Sequence, residues 1–90
     1  MIFEWNDEKN LLLKQTRNIC FEDVVLSIHN GNLLDFVKNP SLNHSHQYCM
    51  IVAIGNYVYV VPFVKNGENF FLKTVYPSRK MTKKYLKEQL

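Results

Sequence analysis

Between Tyr48 and Tyr76 the chain runs through three apolar, β-branched and aromatic stretches, interrupted only by Gly55-Asn56 and Asn66-Gly67. Short runs of this composition, separated by two-residue Gly and Asn breaks, read as strands joined by tight hairpins. The expected strands are Tyr48 to Ile54, Tyr57 to Val64 and Phe70 to Tyr76. If Asn66-Gly67 forms the second turn, Lys65 faces Glu68, a favourable opposite-charge cross-strand pair. That register puts Phe63 opposite Phe70 and Tyr59 opposite Thr74. Pro62 interrupts it, because a proline gives no donor to the ladder, so a bulge or an edge-facing donor position is expected there.

Helical signals flank this sheet. Ile2-Phe3-Glu4-Trp5 reads as a short strand. Asn6 then caps a helix over residues 7–16, with Asp7 and Glu8 favourably placed beside its exposed amide groups. Phe21, Val24, Val25 and Ile28 recur at i, i+3, i+4 and i+7, one face of a second helix. Asn30-Gly31 suits its exit through a left-handed residue, and Arg17-Asn18-Ile19 is a tight connection that makes the two helices a hairpin. In residues 32–46, Leu33, Leu34, Phe36 and Val37 anchor the chain to the core, and residues 38–46 read as an exposed loop. Pro77-Ser78 ends the last strand, and a final helix is expected over residues 80–89, with Met81, Tyr85 and Leu86 facing inward. The fold class is therefore α+β, in the order β-α-α-β-β-β-α, with an antiparallel sheet packed against helices in a single domain over residues 1–90.

Composition bounds the function. The 90 residues are 47% hydrophobic and 21% charged, which does not describe a disordered or low-complexity chain. No apolar run reaches the roughly 18 residues of a membrane span, and the acids of Met1-Ile2-Phe3-Glu4-Trp5-Asn6-Asp7-Glu8 do not fit a signal peptide. With two cysteines and no Cys-x-x-Cys, a disulfide scaffold is not indicated. A cytoplasmic protein without a membrane partner is the expectation. The net charge of +3 conceals an asymmetry: residues 1–45 hold six acids and four bases, residues 46–90 two acids and seven bases. Lys80, Lys83, Lys84 and Lys87 form one basic stripe on the terminal helix, with Arg79 and Lys73 close by in sequence. Such a stripe suits a polyanion or an acidic protein partner.

Few residues offer chemistry. His44-Ser45-His46 places two imidazoles in alternation; ordinary polar loop histidines are the first reading, a proton-transfer role for one of them the second, and a metal the least favoured, because no further ligands stand at metal-binding spacing. No phosphate-cradling glycine loop and no Gly-x-Ser-x-Gly elbow occurs, so neither a nucleotide cofactor nor a serine hydrolase is indicated. Arg79, just past a strand, has the planar fork that grips phosphate, and Tyr76 is a neighbouring ring.

Three segments carry a family resemblance. They are Phe3-Glu4-Trp5-Asn6-Asp7-Glu8-Lys9-Asn10, Ile19-Cys20-Phe21-Glu22-Asp23-Val24, and Tyr76-Pro77-Ser78-Arg79-Lys80-Met81-Thr82-Lys83-Lys84-Tyr85. In order and spacing the chain resembles the BrnT family of bacterial toxins, which have a RelE-like fold. The resemblance implies a ribonuclease that blocks translation, acts without metal or other cofactor, and is neutralised by a cognate antitoxin in a hetero-oligomer. DNA contact in such a complex comes through the antitoxin. Arg79 falls on the family's arginine, Lys80 and Thr82 on the residues after it, and Trp5 and Phe21 on core positions. Arg17 stands where the family has a histidine between its first two helices. A guanidinium holds phosphate but does not accept a proton at neutral pH.

In such a ribonuclease the ribose 2′-hydroxyl attacks the adjacent phosphate, on free RNA or on the ribosome. Arg79 is then the leading phosphate clamp with Lys80, and His44 or His46 the proton-transfer candidates. Arg17, Lys73, Tyr76, Lys83 and Lys84 are the substrate-binding candidates. The alternatives are a non-catalytic module that engages an acidic partner through the terminal helix, and a nonspecific RNA binder whose affinity falls steeply with salt.

Overall fold

A computed structural model describes residues 1–38 and 48–86 of the chain. The elements are β1 (Ile2–Trp5), α1 (Asp7–Arg17), α2 (Phe21–His29), β2 (Leu33–Lys38), β3 (Tyr48–Ile54), β4 (Tyr57–Asn66), β5 (Asn69–Leu72), β6 (Tyr76–Pro77) and α3 (Arg79–Leu86). They form an α+β domain whose mixed sheet has the order β1-β5-β4-β3-β2, with the short β6 also pairing to β4. The expected all-antiparallel sheet is corrected at one edge, because β1 runs parallel to β5 with Ile2 opposite Asn69 and Trp5 opposite Leu72.

The local signals act as the residue chemistry requires. Asn6 accepts the Lys9 N–H at 3.0 Å, and Asn18 closes α1 in the left-handed region at φ 54°. Gly31, at φ +84°, ends α2. Its N–H donates to Ile28 and that of Asn32 to Ser27, the double bond of a Schellman exit. Between the two helices, Asn10 is buried and spans both: its Oδ1 accepts the Phe21 N–H at 2.7 Å, and its amide donates to Glu22 at 2.7 Å.

Both faces of the sheet are covered. Met50, Val52 and Val61 alternate toward α1 and α2, where they pack with Leu13, Phe21 and Val24. Trp5 stacks on Phe21 with ring centroids 5.6 Å apart. Cys49, Ile51, Val58 and Val60 point the other way, against Leu86, Met81 and Tyr85 of α3. Burial on both faces is why β3 reads as a continuous apolar run rather than an alternation. Phe21 is fully buried, and its truncation to alanine is worth about 3–5 kcal/mol.

Three sequence expectations change. Residues 33–38, expected only to anchor the chain to the core, form a sheet strand, with β2 antiparallel to β3 and a bulge between Leu33 and Asp35. The β4–β5 turn is Gly67-Glu68, so Asn66 pairs with Asn69, Lys65 with Phe70 and Phe63 with Leu72. Lys65 and Glu68 are therefore not opposite in register, and neither are Phe63 and Phe70, whose rings meet diagonally instead. Gly67 takes φ +63° at the first central turn position, the place a type II′ turn reserves for glycine. Finally, the expected strand from Phe70 to Tyr76 is broken. β5 ends at Leu72 and β6 begins at Tyr76, so that Tyr59 faces Pro77 rather than Thr74. Pro62 explains the break. Its carbonyl accepts the Lys73 N–H at 2.8 Å, but its ring has no donor to return, so the ladder stops there. The terminal helix starts at Arg79, and residues 87–90, including Lys87 of the basic stripe, lie outside the described residues.

Candidate functional site

α3 owes its position to hydroxyl groups. The Ser78 Oγ accepts the Met81 N–H at 3.1 Å, capping the helix. The Ser78 N–H donates to the Val58 carbonyl at 2.9 Å. One turn on, the buried Thr82 hydroxyl accepts the Val58 N–H at 2.9 Å and donates to the Ser78 carbonyl at 2.7 Å. The helix is thus fastened to β4 through the backbone of Val58, and its inward face is set by Thr82 and Leu86.

That orientation turns the cations outward. Arg79, Lys80, Lys83 and Lys84 are all exposed, and the Lys84 Nζ lies 5.4 Å from the ring centroid of its neighbour Tyr85. The first-turn amides of a helix lack intrahelical acceptors and carry the positive end of its dipole. Arg79 and Lys80 are therefore set where an anion is already favoured.

The remaining candidates divide by layer. Arg17 is held, with its Nη1 donating to the Val75 carbonyl at 2.8 Å. It leaves from α1, on the face of the sheet opposite α3, and reaches the segment that leads into β6. It pins the approach to Arg79 without sharing its helix face. Lys73 is exposed in the same segment, with its Nζ 5.3 Å from the Phe71 ring centroid. Tyr76 is half-buried in the α3-side core beside Cys49, and burial raises its phenol above the ordinary value of 10.0. His44 and His46 lie outside the described residues.

One contact had no sequence signal. The Tyr85 hydroxyl donates to Asp35 Oδ2 at 2.8 Å, while Asp35 Oδ1 accepts the neighbouring Phe36 N–H at 2.8 Å. Asp35 sits at the β2 bulge, where two residues oppose one on β3. The bond to Asp35, then burial, then the charge of Asp35 raise the Tyr85 phenol. Tyr85 is thereby kept as a proton donor that ties α3 to the edge strand.

Burial raises the thiols of both Cys49 and Cys20, which disfavours the nucleophilic thiolate. Among the described residues no three His, Cys, Asp or Glu side chains come together as metal ligands, and no buried side-chain polar atom lacks a partner. The arrangement offers an exposed cationic helix on a rigid mount, suited to phosphate. Comparison with protein-family models, with characterised proteins and with solved structures finds no match for this chain.

Proposed function

We propose that the chain is a toxin of a toxin–antitoxin pair in the cytoplasm, an endoribonuclease that engages RNA through α3 and inhibits translation. The supporting observation is the exposed row of Arg79, Lys80, Lys83 and Lys84 on a helix fastened to the sheet by Thr82. Its context is the Ser78-Arg79-Lys80 segment, through which the sequence resembles the BrnT toxins with their RelE-like fold.

In this reading Arg79 and Lys80 bind the scissile phosphate and offset the charge that develops on its oxygens. The 2′-oxygen forms a bond to phosphorus as its proton leaves to a base, and the bond to the 5′-oxygen breaks as that oxygen takes up a proton. The products are a 2′,3′-cyclic phosphate and a 5′-hydroxyl. Lys83 and Lys84 hold neighbouring phosphates, Lys73 and Tyr76 border the approach, and His44 or His46 handles the proton. A cognate antitoxin covers the same cations, neutralising them and blocking RNA.

The test uses antitoxin-free protein incubated in chelator with defined RNAs and with translating ribosomes, followed by analysis of both product ends. Cyclic phosphate with a matching 5′-hydroxyl is expected. Arg79→Ala lowers cleavage at least about tenfold with folding intact, a transition-state loss of about 1.4 kcal/mol or more. His44→Ala and His46→Ala, made separately, identify the proton-transfer group. Undiminished cleavage by folded Arg79→Ala refutes the clamp.

A second reading rests on Arg17. It occupies the place of the family-like histidine and is engaged with the Val75 carbonyl, which fits a non-catalytic module that binds an acidic partner through α3. Intact RNA in every one of those reactions, together with protection of Lys80 and Lys83 from labelling in the partner complex, decides for it.

A further inference from the structure

On the face of the sheet opposite α3, β1 to β5 each contribute an aromatic ring to one row, Phe3 opposite Phe70 and Tyr48 opposite Phe63 in register, the other neighbours offset diagonally by two residues. Phe3 of β1 lies 6.0 Å from Phe70 of β5 between ring centroids, and Phe70 lies 5.3 Å from Phe63 of β4. Phe63 is in turn 5.9 Å from Phe36 of β2 and 6.4 Å from Tyr48 of β3. The inner rings are sequestered, with Phe63 only 3% and Phe70 8% exposed. The far end of the row is open: Phe36 is 47% and Tyr48 46% exposed. A chain of this size gains nothing in stability by leaving two large rings half in water.

Cations accompany the rings. The Lys65 Nζ stands over Phe70 at 5.6 Å from its centroid, because the true hairpin register pairs Lys65 with Phe70. Lys38 pairs with Tyr48, so its side chain leaves the sheet on the same face. Both lysines are exposed. Another exposed apolar patch has a different chemistry: Leu11 and Leu12 on α1 line a shallow depression with Glu8 and Lys9. Aliphatic side chains amid mixed charge offer neither a π-face nor a net cation.

We infer that the Phe36–Tyr48 end of this aromatic row, with Lys38 and Lys65, is a second binding surface for single-stranded RNA, on which bases stack while the lysines meet phosphates. A flat sheet bearing exposed rings flanked by cations is what unpaired bases need, since every base has a π-face and every linkage a negative charge. Charge complementarity selects this occupant over an apolar protein segment. The surface is independent of the cleavage reading, because it lies across the sheet from Arg79 and requires no chemistry.

The experiment uses the full chain and a fluorescein-labelled 2′-O-methyl oligouridylate of about ten nucleotides, within the site size of a single small domain. Such a strand has no free 2′-hydroxyl, so cleavage does not intervene. Anisotropy is expected to show binding that weakens at least about fivefold in Phe36→Ala and in Tyr48→Ala, with recovery in Tyr48→Phe. Lys65→Gln should lower the salt slope by about 0.7. A photoreactive 4-thiouridine in the same strand should crosslink wild-type protein at Phe36 or Tyr48, a readout that needs no variant to fold. Crosslinks confined to residues 79–84, or unchanged affinity in folded Phe36→Ala and Tyr48→Ala, overturn the surface while leaving α3 as the RNA site. Failure to bind the oligonucleotide at low salt also overturns it, whereas cleavage of ordinary RNA tests the other reading separately.

Discussion

The Thr82 side chain accepts the Val58 N–H at 2.9 Å, a single hydroxyl that substitutes for a neighbouring strand where helix α3 crosses β4. Thr82→Val keeps the shape and removes the acceptor, leaving a buried N–H without a partner at a cost of about 1–3 kcal/mol. For a domain of this size each kcal/mol lowers Tm by about 4–8 °C. Thr82→Ser is expected to retain most of the stability. Paired thermal melts check both, and an unchanged melting point in Thr82→Val removes this bond from the account of how α3 is held.

Asn10 and Glu22 contribute to the acid response. The Asn10 amide lowers the Glu22 carboxyl below its usual 4.5. Its stabilising contribution is fully present above that usual value and is lost as pH falls through the lowered folded value. Glu22→Gln flattens this part of the acid limb in chemical denaturation series. Asn10→Asp preserves the acceptor for Phe21 but sets a carboxylate against Glu22. That variant is expected to be less stable than wild type at pH 7 and to recover part of the difference as pH approaches 4. The pH trends of the two variants thus separate the hydrogen bond from the charge.

Tyr85 contributes to the alkaline side, together with the half-buried Tyr76. The Tyr85 phenol is raised by the bond to Asp35, so the folded state holds the proton more tightly than the unfolded chain. This contribution is complete below the ordinary phenol value and disappears as pH climbs through the raised one. Tyr85→Phe begins less stable at pH 8 and loses less between pH 9 and 11. Parallel slopes for the two proteins across that window contradict the assignment.

The β4–β5 turn tests backbone conformation alone. Nothing lies within 4 Å of a Cβ built on Gly67, whose φ is +63°, so an added methyl group meets no neighbour. L-alanine there is expected to cost about 1–2 kcal/mol through the left-handed backbone. D-alanine, introduced by chemical synthesis, is expected to match or exceed glycine in thermal stability. Equal losses for both enantiomers point to space rather than φ.

These residues also mark how far the sequence could be read. Asn6, Asn30 and Gly31 act on their immediate neighbours, so the start of α1 and the exit of α2 were legible. The cations of α3 were legible as a face because charged groups at i, i+3 and i+4 all require water. The hairpin turn lies one residue later than its sequence signal, because Asn66-Gly67 resembles the central pair of a type I′ turn while the chain uses Gly67-Glu68. β2 carries no clear strand signal because the bulge at Asp35 disrupts its period-2 pattern. The parallel pairing of β1 and the meeting of Tyr85 with Asp35 depend on tertiary register, which no local window contains. The same holds for the aromatic row, whose members lie in five strands and align only once the register is known. Asn10 left a fainter sign, a polar residue three positions before the inward-facing Leu13.

The parallel pairing of β1 with β5 imposes an order on folding during synthesis. Ile2 is paired with Asn69 and Trp5 with Leu72, so the earlier strand emerges long before its partner has been translated. Until residue 72 is made, Phe3 has no Phe70 to meet, and the edge of β1 has nothing to bind. The slow, long-range closure therefore falls at the end of assembly rather than at its beginning. A chain cut short before β5 keeps the two helices and the β3–β4 hairpin in its sequence but lacks the strand that joins β1 to the rest of the sheet, so the sheet closes only once β5 has been translated.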